Sequence, residues 1–190
     1  MSIKVEKIGE PGCEVSGGFS HTEVYVALLS TFASLTEPKE LCGDGAAKTL
    51  EELVTITTAH TFNTGYGFTK MRAIQESVGL ETTQIGDPNK SPMQENKLTV
   101  QLLGSKAELL GFKRQFKGQD IVVLAPEFGS GNLRQIGSAK FSGIISESSS
   151  KIEATVDGEN TTTLVFMDKQ KYDAPIYNVT GGGITLQPAS

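Results

Sequence analysis

The sequence predicts a mainly β fold: a β-sandwich or barrel with one flanking α-helix, an extended loop and a C-terminal arm. Three observations carry this. β-Branched and aromatic residues recur in short runs with period-two alternation, and single turn signals separate those runs. Glycine is frequent, at 21 of 190 residues, as turn-rich β chains require. Only one segment has the 3.6-residue period of an amphipathic helix. The length suits a single domain, residues 1–190, with a core large enough to need neither disulfides nor metals.

MSIKVEKI alternates polar and apolar residues and reads as a strand, as does HTEVYVALL at 21–29. Residues 30–63 have no clear period, although VTITT within LEELVTITTAH favours a strand. GYGFTKMRAIQ (65–75) is a strand with Tyr66, Phe68, Lys70, Arg72 and Ile74 on one face. Thr69, Met71 and Ala73 then lie on the other. A long loop is expected over about 76–96, where two prolines and a glycine interrupt any hydrophobic period.

KLTVQLLG (97–104) is again a strand, and GSKAELLGFKRQFKGQD is a helix over about 106–117. Ser105 is placed as its N-cap, with Glu108 completing a capping box. Leu109, Phe112 and Phe116 form its apolar stripe, widened by Leu110. Lys113, Arg114 and Lys117 oppose the negative helix end, which accounts for them without a phosphate ligand, and Gly118 supplies the closing turn.

DIVVLAP is a buried strand and FGSGN a turn; LRQIGSAKFSGIIS gives one or two strands and KIEATVD another. DGEN is a hairpin turn before TTTLVFMD. The C-terminal arm, about 173–190, contains APIYNV, a glycine triplet and the short strand ITLQ. About nine or ten strands and one helix are expected.

Chemistry is scarce in this sequence. CGDGAAKT (42–49) looks like the end of a phosphate-binding loop, but Ala47 stands where glycine must precede Lys48 and Thr49. The residues before it, LTEPKEL, are no buried strand, so a plain turn is expected. His21 and His60 lack metal-ligand spacing, and Cys13 and Cys42 are too few for a disulfide scaffold. A Cys–His nucleophile pair has no sequence support, and Glu51–Glu52 reads as a solvated acidic pair.

Gly129 and Gly131 are spaced like part of a dinucleotide fingerprint but precede no helix. Gly181–Gly183 reads as a hinge. Asn160 and Asn178 fit the glycosylation sequon by chance, since MSIKVEKIGEPG has no apolar core of a secretion signal. No apolar run reaches membrane-span length, so no membrane partner is expected. The net charge of −5 opposes a groove-bound nucleic acid. The expectation is a non-enzyme with no catalytic, cofactor-binding or metal-binding residues. A chain of this kind suits a building block whose sheet edges and arms pair with neighbours.

One ordered set of motifs resembles a known family. LTVQLLGSKAELLGFKRQFKGQDIVVL, RQIGSAKFSG, NTTTLVFMD and APIYN occur in the order seen in tailed-bacteriophage virion structural proteins, most like tail tube proteins. The matching positions are Glu108, Leu110, Gly111 and Phe112; Asp120 to Val123; Ile136, Gly137 and Ser138; and Pro175 with Tyr177. GFTKMRAIQE also fits, so the resemblance spans residues 65–178 and leaves the N-terminal third undiagnostic.

The resemblance implies a structural protein that self-assembles into stacked rings. Strand pairing between subunits would close an inner barrel around a lumen, through which DNA passes without specific binding. The implied partners are copies of itself and other virion proteins, with assembly in the host bacterial cytoplasm and residence in the virion. It carries over no catalytic residues and fixes no assembly interface; the loop from about Thr82 to Asn96 is the segment expected to contact the next ring. The alternatives are a decoration protein of the capsid or a head–tail junction ring, since fold does not fix function. A more distant one is a carbohydrate-binding β-sandwich, disfavoured by the absence of tryptophan.

Overall fold

Alternation along β1 (Glu23–Leu28) sets the architecture: Val24 and Val26 face one way, Tyr25 and Ala27 the other, and apolar groups cover both sides. The computed structural model describes residues 23–127, 132–155, 158–179 and 184–188. Within them follow β2 (Phe32–Ser34), β3 (Thr55–Ile56), β4 (Thr61–Phe62), β5 (Thr69–Arg72), β6 (Gly79–Ile85) and β7 (Met93–Leu103). Then come α1 (Ala107–Phe116), β8 (Ile121–Pro126), β9 (Leu133–Ile136), β10 (Ile144–Ile152), β11 (Asn160–Gln170) and β12 (Ile176–Tyr177). The fold is mainly β, consistent with a sandwich bearing one α-helix.

One sheet has six strands in the order β3-β12-β9-β8-β1-β5, and the other has four in the order β10-β11-β7-β6. β2 and β4 form a small third sheet. Single bridges, Ala73 to Leu102 and Ile121 to Gly143, tie the two large sheets together.

The first core lies between them. β1 and β8 contribute Val24, Val26, Ile121, Val123 and Ala125, and the four-stranded sheet contributes Leu98, Val100, Leu102, Leu164 and Phe166. Leu109, Phe112 and Phe116 of α1 close this core, the two phenylalanine rings stacking 4.2 Å apart. Each fully buried large side chain here stabilises by roughly 1.5–3 kcal/mol. The second core covers the other face of the six-stranded sheet, where Val122 and Leu124 meet Ile56, Phe68 and Tyr177. Phe32, Phe62 and Phe68 pack there as a ring cluster. β8 is thus apolar at successive positions because both its faces are buried.

Several expectations need correction. The span 76–96 is no long loop: β6 and β7 form a hairpin across most of it. β6 is an edge strand whose inward positions, Leu80, Thr82 and Gln84, bury little surface, so no hydrophobic period was imposed on it. β7 begins at Met93, before KLTVQLLG.

The part of the C-terminal arm that is described, 173–179 and 184–188, is docked on its own chain. β12 pairs with β9 and β3, Leu186 bridges Phe68, and Tyr177 is buried in the second core. The outer face of the six-stranded sheet demands that cover.

The N-cap of α1 is Lys106 and not Ser105, with no side-chain cap bond; the first helical bond runs from Leu110 N–H to Lys106 O at 3.1 Å. Leu110 is 49% exposed, so it does not widen the stripe. Gly118 has φ +69°, the conformation that ends the helix. Lys151 and Ile152, which open KIEATVD, belong to β10 and not to a separate strand; Val156 and Asp157 lie outside the described residues. The MSIKVEKI strand, most of the FGSGN turn and the glycine triplet lie outside the described residues.

Candidate functional site

Residues 42–49 form a turn in which the amides of Ala46, Ala47 and Lys48 are engaged. Ala47 donates its N–H to Glu40 O at 2.9 Å, and Lys48 donates its N–H to Glu52 Oε2 at 2.7 Å. A carboxylate therefore occupies the place a phosphate would need. The ammonium of Lys39, 2.6 Å away, holds the Glu52 carboxyl below its usual range, and the Lys48 N–H adds to this. Glu51 beside it is exposed, as the solvated reading expects.

His60 is 4% exposed and works inside the fold. Thr36 donates its N–H to His60 Nδ1 at 3.2 Å, so the ring proton sits on Nε2, which donates to Gln135 Oε1 at 2.8 Å. Gln135 Nε2 donates to Gly137 O at 2.8 Å, and Gly137 N–H donates to Asp168 Oδ2. Asn96 Nδ2 donates to the other oxygen of Asp168 at 2.8 Å, and Gln170 Nε2 donates to Oδ2 at 2.9 Å. Burial lowers the His60 pKa and raises that of Asp168 to about 6. This chain of buried bonds connects the second core to the four-stranded sheet.

Sequence reading gave this network no role, since its members lie far apart along the chain. The available signal was Asp168 and Gln170 continuing the inward alternation of Leu164 and Phe166.

Cys42 is exposed, while His21 and Cys13 lie outside the described residues, as do Gly129, Gly131 and Gly181–Gly183. Asn160 opens β11 and Asn178 is exposed after β12. Among the described residues no group of three or more His, Cys, Asp or Glu could hold a metal ion. No described helix is long and apolar enough to cross a membrane. Lys113 reaches Ser150 Oγ at 2.9 Å, and Lys113, Arg114 and Lys117 line a groove beside β10 with Ser146 and Ser148.

The longest edge strands with unused bonding capacity belong to the four-stranded sheet; the six-stranded sheet ends in the shorter β3 and β5. β6 and β10 are the edges of the four-stranded sheet, seven and nine residues long, and among the described residues each has a neighbour on one side only. Its outward face carries Glu81, Glu95, Lys97, Lys151 and Lys169 among threonines and serines, with Glu95 paired to Lys97 at 3.0 Å and to Lys169 at 3.2 Å. Long uncovered edges offer rows of N–H and C=O groups to another strand. Ile152, at the end of β10, is 68% exposed.

No protein-family model matches this sequence, and neither a curated protein nor a solved structure matches it.

Proposed function

We propose that this chain is a structural virion protein of a tailed bacteriophage, a tail tube subunit that self-assembles into stacked rings around a DNA-conducting lumen. One observation carries the reading: among the described residues the four-stranded sheet is antiparallel throughout and open at both edges. Rotation about a ring axis preserves strand direction. With an even number of alternating strands, β6 of one copy therefore meets β10 of the next antiparallel, the geometry of a continuing ladder. Closure into a barrel would remove both open edges.

The outward face of this sheet would then line the lumen. Its acidic and basic side chains alternate, and it has no basic stripe of the kind that retains phosphates. DNA would slide along such a wall without being held.

Sedimentation of the purified protein over a concentration series tests the proposal. A tube subunit converts to large, fast-sedimenting species without any other component. A chain that stays monomeric at high concentration contradicts it and favours a capsid decoration or head–tail junction protein.

A further inference from the structure

We infer that β6 of one copy joins β10 of the next in a single register, Glu81 opposite Lys151; this rests on the assembly reading above. Hydrogen-bond directions limit the choice first. Glu153 N–H bonds Glu159 O at 3.0 Å, so alternation along β10 points the backbone groups of Lys151 and Ser149 toward β11. Those of Ile152, Ser150 and Ser148 then point outward. Gly104 N–H bonds Asn160 O at 2.8 Å, and the same alternation through β7 turns Gly79, Glu81 and Thr83 toward β7. Leu80, Thr82 and Gln84 are left with backbone groups at the open edge.

Side chains then choose among the allowed registers. With Glu81 opposite Lys151, the hydrogen-bonded pairs are Leu80–Ile152, Thr82–Ser150 and Gln84–Ser148, and Thr83 faces Ser149. Exposed Ile152 gains an apolar partner, hydroxyls meet hydroxyls, and opposite charges face each other. Glu81 would stand between Lys97 of its own sheet and Lys151 of the next.

Shifting by two residues one way puts Glu81 against Glu153, a like-charge pair. Shifting the other way sets Glu81 against Ser149 and carries Ile152 past the end of β6 to Val78, which is already buried in the core of its own subunit. The chosen register also leads the incoming hairpin turn, with Asp87, toward the groove of about 530 Å³ lined by Lys113, Arg114 and Lys117. One carboxylate thus approaches three cations.

Cysteine pairing tests the register. In a background carrying Cys13→Ser and Cys42→Ser, Thr83→Cys and Ser149→Cys are prepared as separate proteins, mixed and oxidised. Thr83 and Ser149 would form a non-hydrogen-bonded pair, in which side chains lie closest. The expected result is a disulfide-linked dimer in the mixture and none from either protein alone. A mixture of Thr83→Cys with Glu147→Cys, one step out of register, should link far less.

Efficient linking of the shifted pair overturns the register while leaving assembly intact. Self-linking of either single variant overturns it in favour of a twofold contact. No linking in any mixture, with unoxidised protein that sediments as large species, overturns the β6–β10 junction alone. No linking with monomeric sedimentation overturns the assembly reading as well. Charge removal supplies a second readout, with Lys151 kept because it also pairs with Glu153 at 2.6 Å and Glu159 at 3.1 Å. Glu81→Gln should raise the critical concentration several-fold; an unchanged critical concentration contradicts the pairing.

Discussion

His60 Nε2 lies 2.8 Å from Gln135 Oε1, and the opposite ring nitrogen accepts the N–H of Thr36 at 3.2 Å. Both nitrogens are committed, one as donor and one as acceptor, so the ring must stay neutral. A second proton would set an N–H against the N–H of Thr36. Burial lowers the pKa in the same direction.

The first prediction follows from that depressed value. The unfolded chain protonates His60 more readily, so its contribution is present above the ordinary histidine pKa of 6.5 and falls as pH drops below it. His60→Gln should remove this part of the acid sensitivity. Melting temperatures of both proteins across the mildly acidic range check it; an unchanged slope in the variant refutes it.

Asp168 acts with the opposite sign. Burial raises its pKa from 3.8 to about 6, so the folded state holds an extra proton between those values, and this contribution declines as pH rises through that window. Asp168→Asn should flatten that part of the profile. At neutral pH it should also cost about 1–3 kcal/mol in urea denaturation, because one amide oxygen replaces a carboxylate that serves three donors.

Two glycines should respond in opposite directions. Gly137 has φ +90°, and an added Cβ would press on the carbonyl oxygen of Ile121 and lie 2.7 Å from Gly143 N. Gly137→Ala should destabilise by about 3 kcal/mol or more, as backbone strain and backbone clash combine. Gly111 lies within α1, where an added Cβ meets nothing within 4 Å. Gly111→Ala should stabilise by up to about 1 kcal/mol. Denaturant midpoints of the two variants settle both.

Nucleotides should not bind at residues 42–49. The Glu52 carboxylate already accepts the Lys48 N–H at 2.7 Å and pairs with Lys39 at 2.6 Å. Adding magnesium with ATP or GTP should leave the melting temperature unchanged. A large rise would reinstate the phosphate-loop reading.

The strongest elements were legible because burial dictated them. IVVLA in β8 is apolar at every position since cores lie on both faces, and the spacing of Leu109, Phe112 and Phe116 fixed the packed side of α1. Met71 and Ala73 fall on the face opposite Phe68, as alternation requires. β6 was missed because an edge strand over a partly filled face needs few apolar residues; GDPN between two β-prone runs was the available hairpin cue. β12 was too short for its period to show, and its place was set by the sheet face it covers. The partnership of His60, Gln135 and Asp168 left no spacing in the sequence, since its links His60–Gln135 and Gly137–Asp168 span 75 and 31 positions.

Negative-stain microscopy of the concentrated protein tests the central claim most directly. Hollow tubes or stacked rings of uniform diameter, formed by this chain alone, are the predicted result. Fields of single small particles at every concentration would contradict self-assembly through the four-stranded sheet.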